Sequence, residues 1–358
     1  MSEDEILFGR EGGLATVVIN RPQALNALSL DNYRRLAPQL ARWADDPEVR
    51  AVAIRGAGGR AFCAGGDVLA LYRAGRASPR DAEFPAAFFG EEYALVRAIH
   101  RYRKPYVAII DGITMGGGAG ISVNGAFRVA TEATVFAMPE TGIGLFPDVG
   151  ATRFLNLCPG RVGRYLGLCG IRLQAADALY CGFATHFVPQ AQIESLLAAL
   201  AQDAGAAEAV AATIAGFAGD PGPAPLAGQR PAIDRCFAAD TVEAVLAALQ
   251  QEEAAGGAFT GWAAETRASL LAKSPTSLKI TLHQLTLGRG FDVEAALALE
   301  YRMAQHVMAA HDFYEGVRAM LIDRDRNPRW RPASLAAVDA AMVASYFAPL
   351  GGREWRPE

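Results

Sequence analysis

Apolar positions follow two rhythms along the chain. In the first half they form short runs rich in β-branched residues: "ATVVIN" (15–20), "VAIRG" (52–56), "YVAIID" (106–111) and "ATVFAM" (133–138). Such runs predict strands. Between them the spacing becomes helical. "SLDNYRRLAPQLARWADD" (29–46) opens on Ser29, a good N-cap, and "EEYALVRAIHRY" (91–102) predicts another helix. The alternation continues to about residue 190 and predicts an α/β protein of stacked strand–strand–helix units. Beyond it, "FAGDPGPAPLAGQRP" (217–231) is rich in Pro and Gly and reads as a linker. Almost everything from 232 onward has helical spacing. The expected organisation is a core over 1–216, a linker over 217–231 and a mostly helical C-terminal region over 232–358.

Composition narrows the function classes. The 358 residues are 51% hydrophobic and 20% charged, enough for a large core and too apolar for a disordered chain. A net charge of −4, without a basic patch, gives no reason to expect a nucleic-acid partner. No run approaches the ~18 apolar residues of a membrane span, so no membrane partner is expected. The opening "MSEDEILFGR" is acidic and lacks a cationic, apolar signal design, which suggests a cytoplasmic protein. Five scattered cysteines (Cys63, Cys158, Cys169, Cys181, Cys236) form no CxxC and read as buried thiols. Five histidines (His100, His186, His283, His306, His311) show no ligand spacing, so no metal is expected.

Two glycine clusters follow predicted strands: "AFCAGGDV" (61–68) and "DGITMGGGAGISVNG" (111–125). Glycines placed before a helix expose N–H groups that can hold an anion or a polarised carbonyl oxygen. Nucleotide fingerprints fail here. GxGxxG is absent from 111–125, and no Lys follows Gly117 to complete a P-loop. Asn124 stands where the serine-hydrolase elbow needs its last Gly. One reading is an oxyanion hole with N–H groups from Gly66 and Gly117. The other is tight turns and close helix packing.

"FAMPETGIGLFPDVG" (136–150) holds two acids in otherwise apolar, Gly, Pro or Thr surroundings. Burial of Glu140 would raise its pKa and suit it to acid–base work near neutrality. Asp148, ahead of "VGATRFLNLC", reads equally as an N-cap. Glu92 reads as a solvated helix acid or as a third acid aimed at the same pocket.

Taken together, "INRPQALNALS", "AFCAGGDV", "GITMGGGAGISV" and "MPETGIGLFPDVGATRFL" resemble the enoyl-CoA hydratase/isomerase (crotonase) superfamily over roughly residues 5–190. "GEEYAL", "GIRLQAADALYCGFATHFVP", "SPTSLKITLHQL" and "EYRMAQHVMAAHDFYEGVRAMLIDRDRNPRWRP" extend the resemblance to its 3-hydroxyisobutyryl-CoA hydrolase branch, over nearly the whole chain. The resemblance implies a crotonase-like spiral of β-β-α units with a helical C-terminal region covering the active site. It implies an acyl-CoA substrate whose thioester oxygen meets the N–H groups of Gly66 and Gly117. Coenzyme A would be held near Ala24, Leu25, Ala64, Gly66, Asp67 and Val68, as part of the substrate and with no separate cofactor. Glu140 would be the catalytic carboxylate, Asp148 its partner, and Glu92, with Gly117, would contact the acyl part. Hydratases of the superfamily carry an additional Glu where this chain has Gly120, and usually Gly where it has Asp148. That exchange favours thioester hydrolysis. The alternatives are a hydratase or isomerase acting on another acyl-CoA, and a non-catalytic RNA binder on the same scaffold. Monomer, dimer and trimer all fit the resemblance.

Overall fold

The computed structural model describes residues 4–77, 81–203 and 205–356. Two compact units divide the chain. One comprises 1–67, 91–137 and 172–225; the other comprises 68–90, 138–171 and 226–358.

Among the described residues, the first unit is built on nine strands: β1 (Ile6–Glu11), β2 (Leu14–Ile19), β3 (Ala51–Gly56), β4 (Ala61–Cys63), β5 (Tyr106–Ile110), β6 (Ile113–Met115), β7 (Phe127–Ala130), β8 (Val135–Ala137) and β9 (His186–Phe187). They form a six-stranded sheet, β1-β2-β3-β5-β7-β9, and a three-stranded sheet, β4-β6-β8. Of these strand pairings, only β1–β2 is antiparallel. The strands β3, β5 and β7 are each followed by a short strand in the second sheet, which is the expected β-β-α repeat. The central β5 is buried at every position and reads as a continuous apolar run, as a doubly covered parallel strand should. One face of the large sheet packs Val107, Ile109 and Val129 against Leu196, Leu200 and Ile214 of the helices Ile193–Asp203 and Ala207–Phe217.

The helix Leu30–Asp45 starts in a reciprocal capping box, with Ser29 and Asn32 bonding each other's main-chain N–H. This satisfies two donors that the helix start would otherwise leave open.

The second unit is largely helical. Around the segment after β8 it gathers Val162–Cys169, Pro275–Leu287, Val293–Ala309 and Asp312–Val317. The stretch expected as a linker, 217–231, is helical from Pro225 onward, within Pro225–Cys236. A proline at the first helical position loses no hydrogen bond, and Leu226 and Ile233 bury an apolar stripe that composition alone conceals. No helix among the described residues is long and apolar enough to cross a membrane.

Candidate active site

In the first unit, the loop 24–28 and the first glycine cluster are strapped together. Leu25 and Asn26 adopt the left-handed backbone conformation, at φ 51° and 58°. Asn26 stabilises this bend by donating to the carbonyls of Ala57 (2.9 Å) and Ala61 (2.7 Å), and its own oxygen accepts from Arg21 N–H. Leu28 then pairs with Gly66 as a parallel bridge. Leu28 N–H donates to Gly65 O and Asp67 N–H to Leu28 O, while Ala64 N–H donates to Leu25 O. In that bridge the neighbours of Gly66 make the bonds, so the N–H of Gly66 itself points away from the Leu28 strand. Asp67 is further tied to Arg21 at 3.3 Å. The predicted positions Ala24, Leu25, Ala64, Gly66 and Asp67 therefore share one locked loop pair. Val68 begins the helix Val68–Arg76 of the second unit.

The second glycine cluster opens the helix Gly117–Val123, whose first residue is Gly117. First-turn N–H groups have no partner within their own helix. Gly116 precedes it with φ 49°, a conformation glycine adopts without strain. A methyl group added at Gly117 would sit 2.5 Å from Glu92 Oε1, 3.1 Å from Gly66 N and 3.1 Å from the Tyr33 hydroxyl. The turn favours glycine at 116, and close approach favours it at 117. The same numbers place Gly66, Gly117 and Glu92 in one small volume. Glu92 is buried at 3% exposure and is no solvated helix acid. Its Oε1 accepts a 2.6 Å hydrogen bond from Tyr33, a residue with no distinguishing signal in the sequence beyond its place on a helix face.

In the second unit, Glu140 and Asp148 are both about 5% exposed. Glu140 begins the single 3-10 turn Glu140–Ile143 behind Pro139, closed by Gly144 at φ 74°. Two close approaches clamp the turn. A side chain at Gly144 would meet Asp312 O at 2.2 Å, and one at Gly316 would meet Ile143 at 2.4 Å. Lys273 is half-buried beside this turn, and its Nζ lies 3.3 Å from the place of a Gly142 methyl. Burial holds the Lys273 ammonium below its usual range, while the nearby Cys169 and Glu140 favour the charged form.

Asp148 lies between two anchors. Gln284 donates to Pro147 O and to Thr152 Oγ1, both at 2.7 Å. Glu300, wholly buried, accepts from Gly150 N–H at 2.7 Å and Thr152 N–H at 2.8 Å. Ala151 N–H goes to the main-chain oxygen of Asp148. The Glu300 carboxylate thus takes two N–H groups at the start of the Ala151–Phe154 helix, whose N-cap position is Gly150 rather than Asp148. Between the anchors, Val149 is held at φ 55°. A β-branched residue in that region is strained by about 1–3 kcal/mol and persists only where its surroundings over-determine it.

Burial pushes the Glu300 carboxyl up to about 8, partly countered by hydrogen bonds from Thr152 and Gly150 and reinforced by the charge of Asp148. The folded chain keeps this proton to about pH 8, while the unfolded chain releases it near the ordinary value of 4.5. Stability from this site is thus fully present below about pH 4.5 and falls as pH rises toward 8. Glu300→Gln leaves one buried N–H facing an amide NH2 and is expected to destabilise by about 1–3 kcal/mol. The difference from wild type should narrow between about pH 5 and pH 8, read by denaturant melts. A pH-independent difference would count against the raised pKa.

The sequence matches the family model described as Enoyl-CoA hydratase/isomerase over residues 14–347. The chain belongs to the enoyl-CoA hydratase/isomerase family. Within this family it is 46% identical to "3-hydroxyisobutyryl-CoA hydrolase, mitochondrial" of Danio rerio, over 98% of this chain and 91% of that protein. It is 43% identical to the Homo sapiens protein of the same name, over 98% and 90%. The fold also matches the crystal structure of a carnitinyl-CoA dehydratase from Mycobacterium thermoresistibile, with TM-score 0.91, 40% identity and 99% of both chains covered. It matches that of an enoyl-CoA hydratase from Rhodobacter sphaeroides 2.4.1 with TM-score 0.89 and 37% identity, over 99% of this chain and 100% of that one. The spiral of β-β-α units expected from the sequence is thus the fold of this family.

The resemblance assigns roles to Glu140, Asp148, Gly66, Gly117 and Glu92; Gln284 and Glu300 fall within its motifs without an assigned role. Tyr33, Gln284, Lys273 and Glu300 come from helices or helix junctions distant in sequence. The local signal is a polar residue on an otherwise buried helix face, as at Gln284 and Glu300.

Proposed function

We propose that this enzyme hydrolyses a coenzyme A thioester, 3-hydroxyisobutyryl-CoA, to the free hydroxy acid and coenzyme A. One observation carries this choice over water addition to a double bond. Gly120, buried in the Gly117–Val123 helix, has no side chain, so the second glycine cluster supplies backbone donors and no acid. The buried acids Glu140 and Asp148 instead share one loop. The curated relatives named as hydrolases support the same reading.

The thioester oxygen accepts from the N–H groups of Gly66 and Gly117, each worth about 3 kcal/mol to the developing oxyanion. Glu140 delivers the oxygen by one of two routes. It attacks the carbonyl carbon, giving a mixed anhydride that water opens, or it takes a proton from the attacking water. In single turnover in oxygen-18 water, label enters the Glu140 carboxylate only by the first route, with water opening the anhydride at the Glu140 carbonyl. Asp148 orients the water and relays its proton. Coenzyme A departs as a thiolate, a good leaving group, and enters only as part of the substrate; the chemistry asks for no further cofactor.

A thiol-reagent assay tests the reading. The enzyme should release free thiol from 3-hydroxyisobutyryl-CoA and should not hydrate crotonyl-CoA. The reverse outcome would assign it to the hydratases, the activity named for the Rhodobacter sphaeroides protein.

A further inference from the structure

We propose that Tyr33 is a specificity-determining residue: its hydroxyl holds the Glu92 carboxylate in the orientation that accepts a hydrogen bond from a hydroxyl group on the acyl chain. This deepens the thioesterase reading and rests on it.

The Tyr33 hydroxyl donates to Glu92 Oε1 at 2.6 Å, within the range of charge-assisted O–H···O⁻ bonds. Both side chains are buried, Tyr33 completely. Their shared oxygens also lie against Gly117: a methyl there would be 2.5 Å from Glu92 Oε1 and 3.1 Å from the Tyr33 hydroxyl, with Gly66 N at the same 3.1 Å. The acyl part of a thioester held by Gly66 and Gly117 therefore meets this pair.

Tyr33 is a rigid post for the purpose. It lies in the first turn of Leu30–Asp45, next to the Asn32 of the capping box, and its own N–H bonds Ser29 O at 3.2 Å. Glu92, in contrast, reaches its position through a flexible, unbranched side chain. A carboxylate left to choose its own rotamer would also turn toward other donors. Pinned by Tyr33, it presents a fixed acceptor to the acyl group.

Such a pair discriminates by omission. A site built to accept a substrate hydroxyl penalises the analogue without one, because the buried polar groups then face a C–H surface. Tyr33 has a second effect on the reaction. A carboxylate close to an oxyanion hole opposes the charge developing there, and a donated O–H draws part of that charge away. An aliphatic side chain at position 33 would fill space without doing either.

The test compares 3-hydroxyisobutyryl-CoA with isobutyryl-CoA, which lacks only the hydroxyl. The kcat/KM for thiol release from each is measured for wild type, Tyr33→Phe, Glu92→Gln and the double variant. Tyr33→Phe keeps the ring, and its Tm is read alongside. We expect the ratio of kcat/KM, hydroxylated over plain, to fall by about tenfold or more in Tyr33→Phe, mostly through KM for the hydroxylated thioester. The double variant should fall little further than either single one, since the two residues act as a unit. A ratio within about twofold of wild type, well short of that discrimination, overturns the proposal. So does an equal loss on both thioesters, which would leave the hydroxyl only a structural or general electrostatic role. If the wild type releases thiol from neither compound, the thioesterase reading fails and this inference with it; an unchanged ratio in an active Tyr33→Phe enzyme removes this inference alone.

Discussion

Replacing Glu140 by Gln is expected to lower thioester hydrolysis by at least ~100-fold, the usual cost of losing a core acid or base. The amide has the size of the carboxylate, yet it neither attacks a carbonyl nor takes a proton from water. The fold should survive, because the turn is held without the side chain. Gly142 N–H bonds Pro139 O, Leu145 N–H bonds Glu140 O, and Thr141 donates to Leu168 O at 3.0 Å. Asp312–Val317 packs against the turn through the close approaches at Gly144 and Gly316. The charge balance around Lys273 will change, since Glu140 is one of the groups that keep its ammonium charged. Comparison of kcat with the circular dichroism spectrum and Tm decides the matter. A correctly folded variant with near-normal turnover would remove Glu140 from the mechanism.

Gly117→Ala should cost about 100-fold in kcat, comparable to losing one oxyanion donor. The added methyl overlaps Glu92 Oε1 at 2.5 Å and crowds Gly66 N and the Tyr33 hydroxyl at 3.1 Å. Relief of that overlap requires the ends of Glu92 and Tyr33, joined by a 2.6 Å bond, to move. The helix itself is indifferent to the change, since Ala is a better helix former than Gly. Activity should therefore fall much further than stability. The neighbouring Gly118 supplies the contrast. A methyl there meets Cys63 O, a main-chain atom, at 2.1 Å, so Gly118→Ala should lower Tm as well as activity. A Gly117→Ala enzyme with wild-type kcat would show that the donors do not converge on the reacting oxygen.

Legibility in the sequence follows the length and self-sufficiency of each element. The helix Leu30–Asp45 is readable almost to its ends, because its N-cap and its apolar stripe are both local. The long strands β2, β3 and β5 are readable as β-branched runs. The short strands β4 and β6 are not, since so few positions contain less than two full alternations. The helix Pro225–Cys236 is hidden by its own prolines, which composition counts as breakers wherever they fall.

The acids divide in the same way. Glu140 is conspicuous because a carboxylate stands in an apolar run. Glu92 looks locally like any acid on an amphipathic helix; its burial and its bond from Tyr33 are seen only in the fold. Asp148 looks like an N-cap by every local criterion. Glu300, far later in the chain, takes the helix N–H groups instead.

The residues alone dictate the chemistry on offer: two glycine clusters behind strands and a pair of acids in an apolar loop; the resemblance adds that Gly120 stands where related hydratases have an acid. These are local statements about backbone freedom and side-chain type, and local statements survive without coordinates. Which groups meet is settled only by folding. It brings Tyr33 onto Glu92, Glu300 onto Gly150 and Thr152, and Lys273 to the Glu140 turn. Hydrogen bonds and buried charges act over about 3 to 6 Å, and separation along the chain says nothing about separation at that scale.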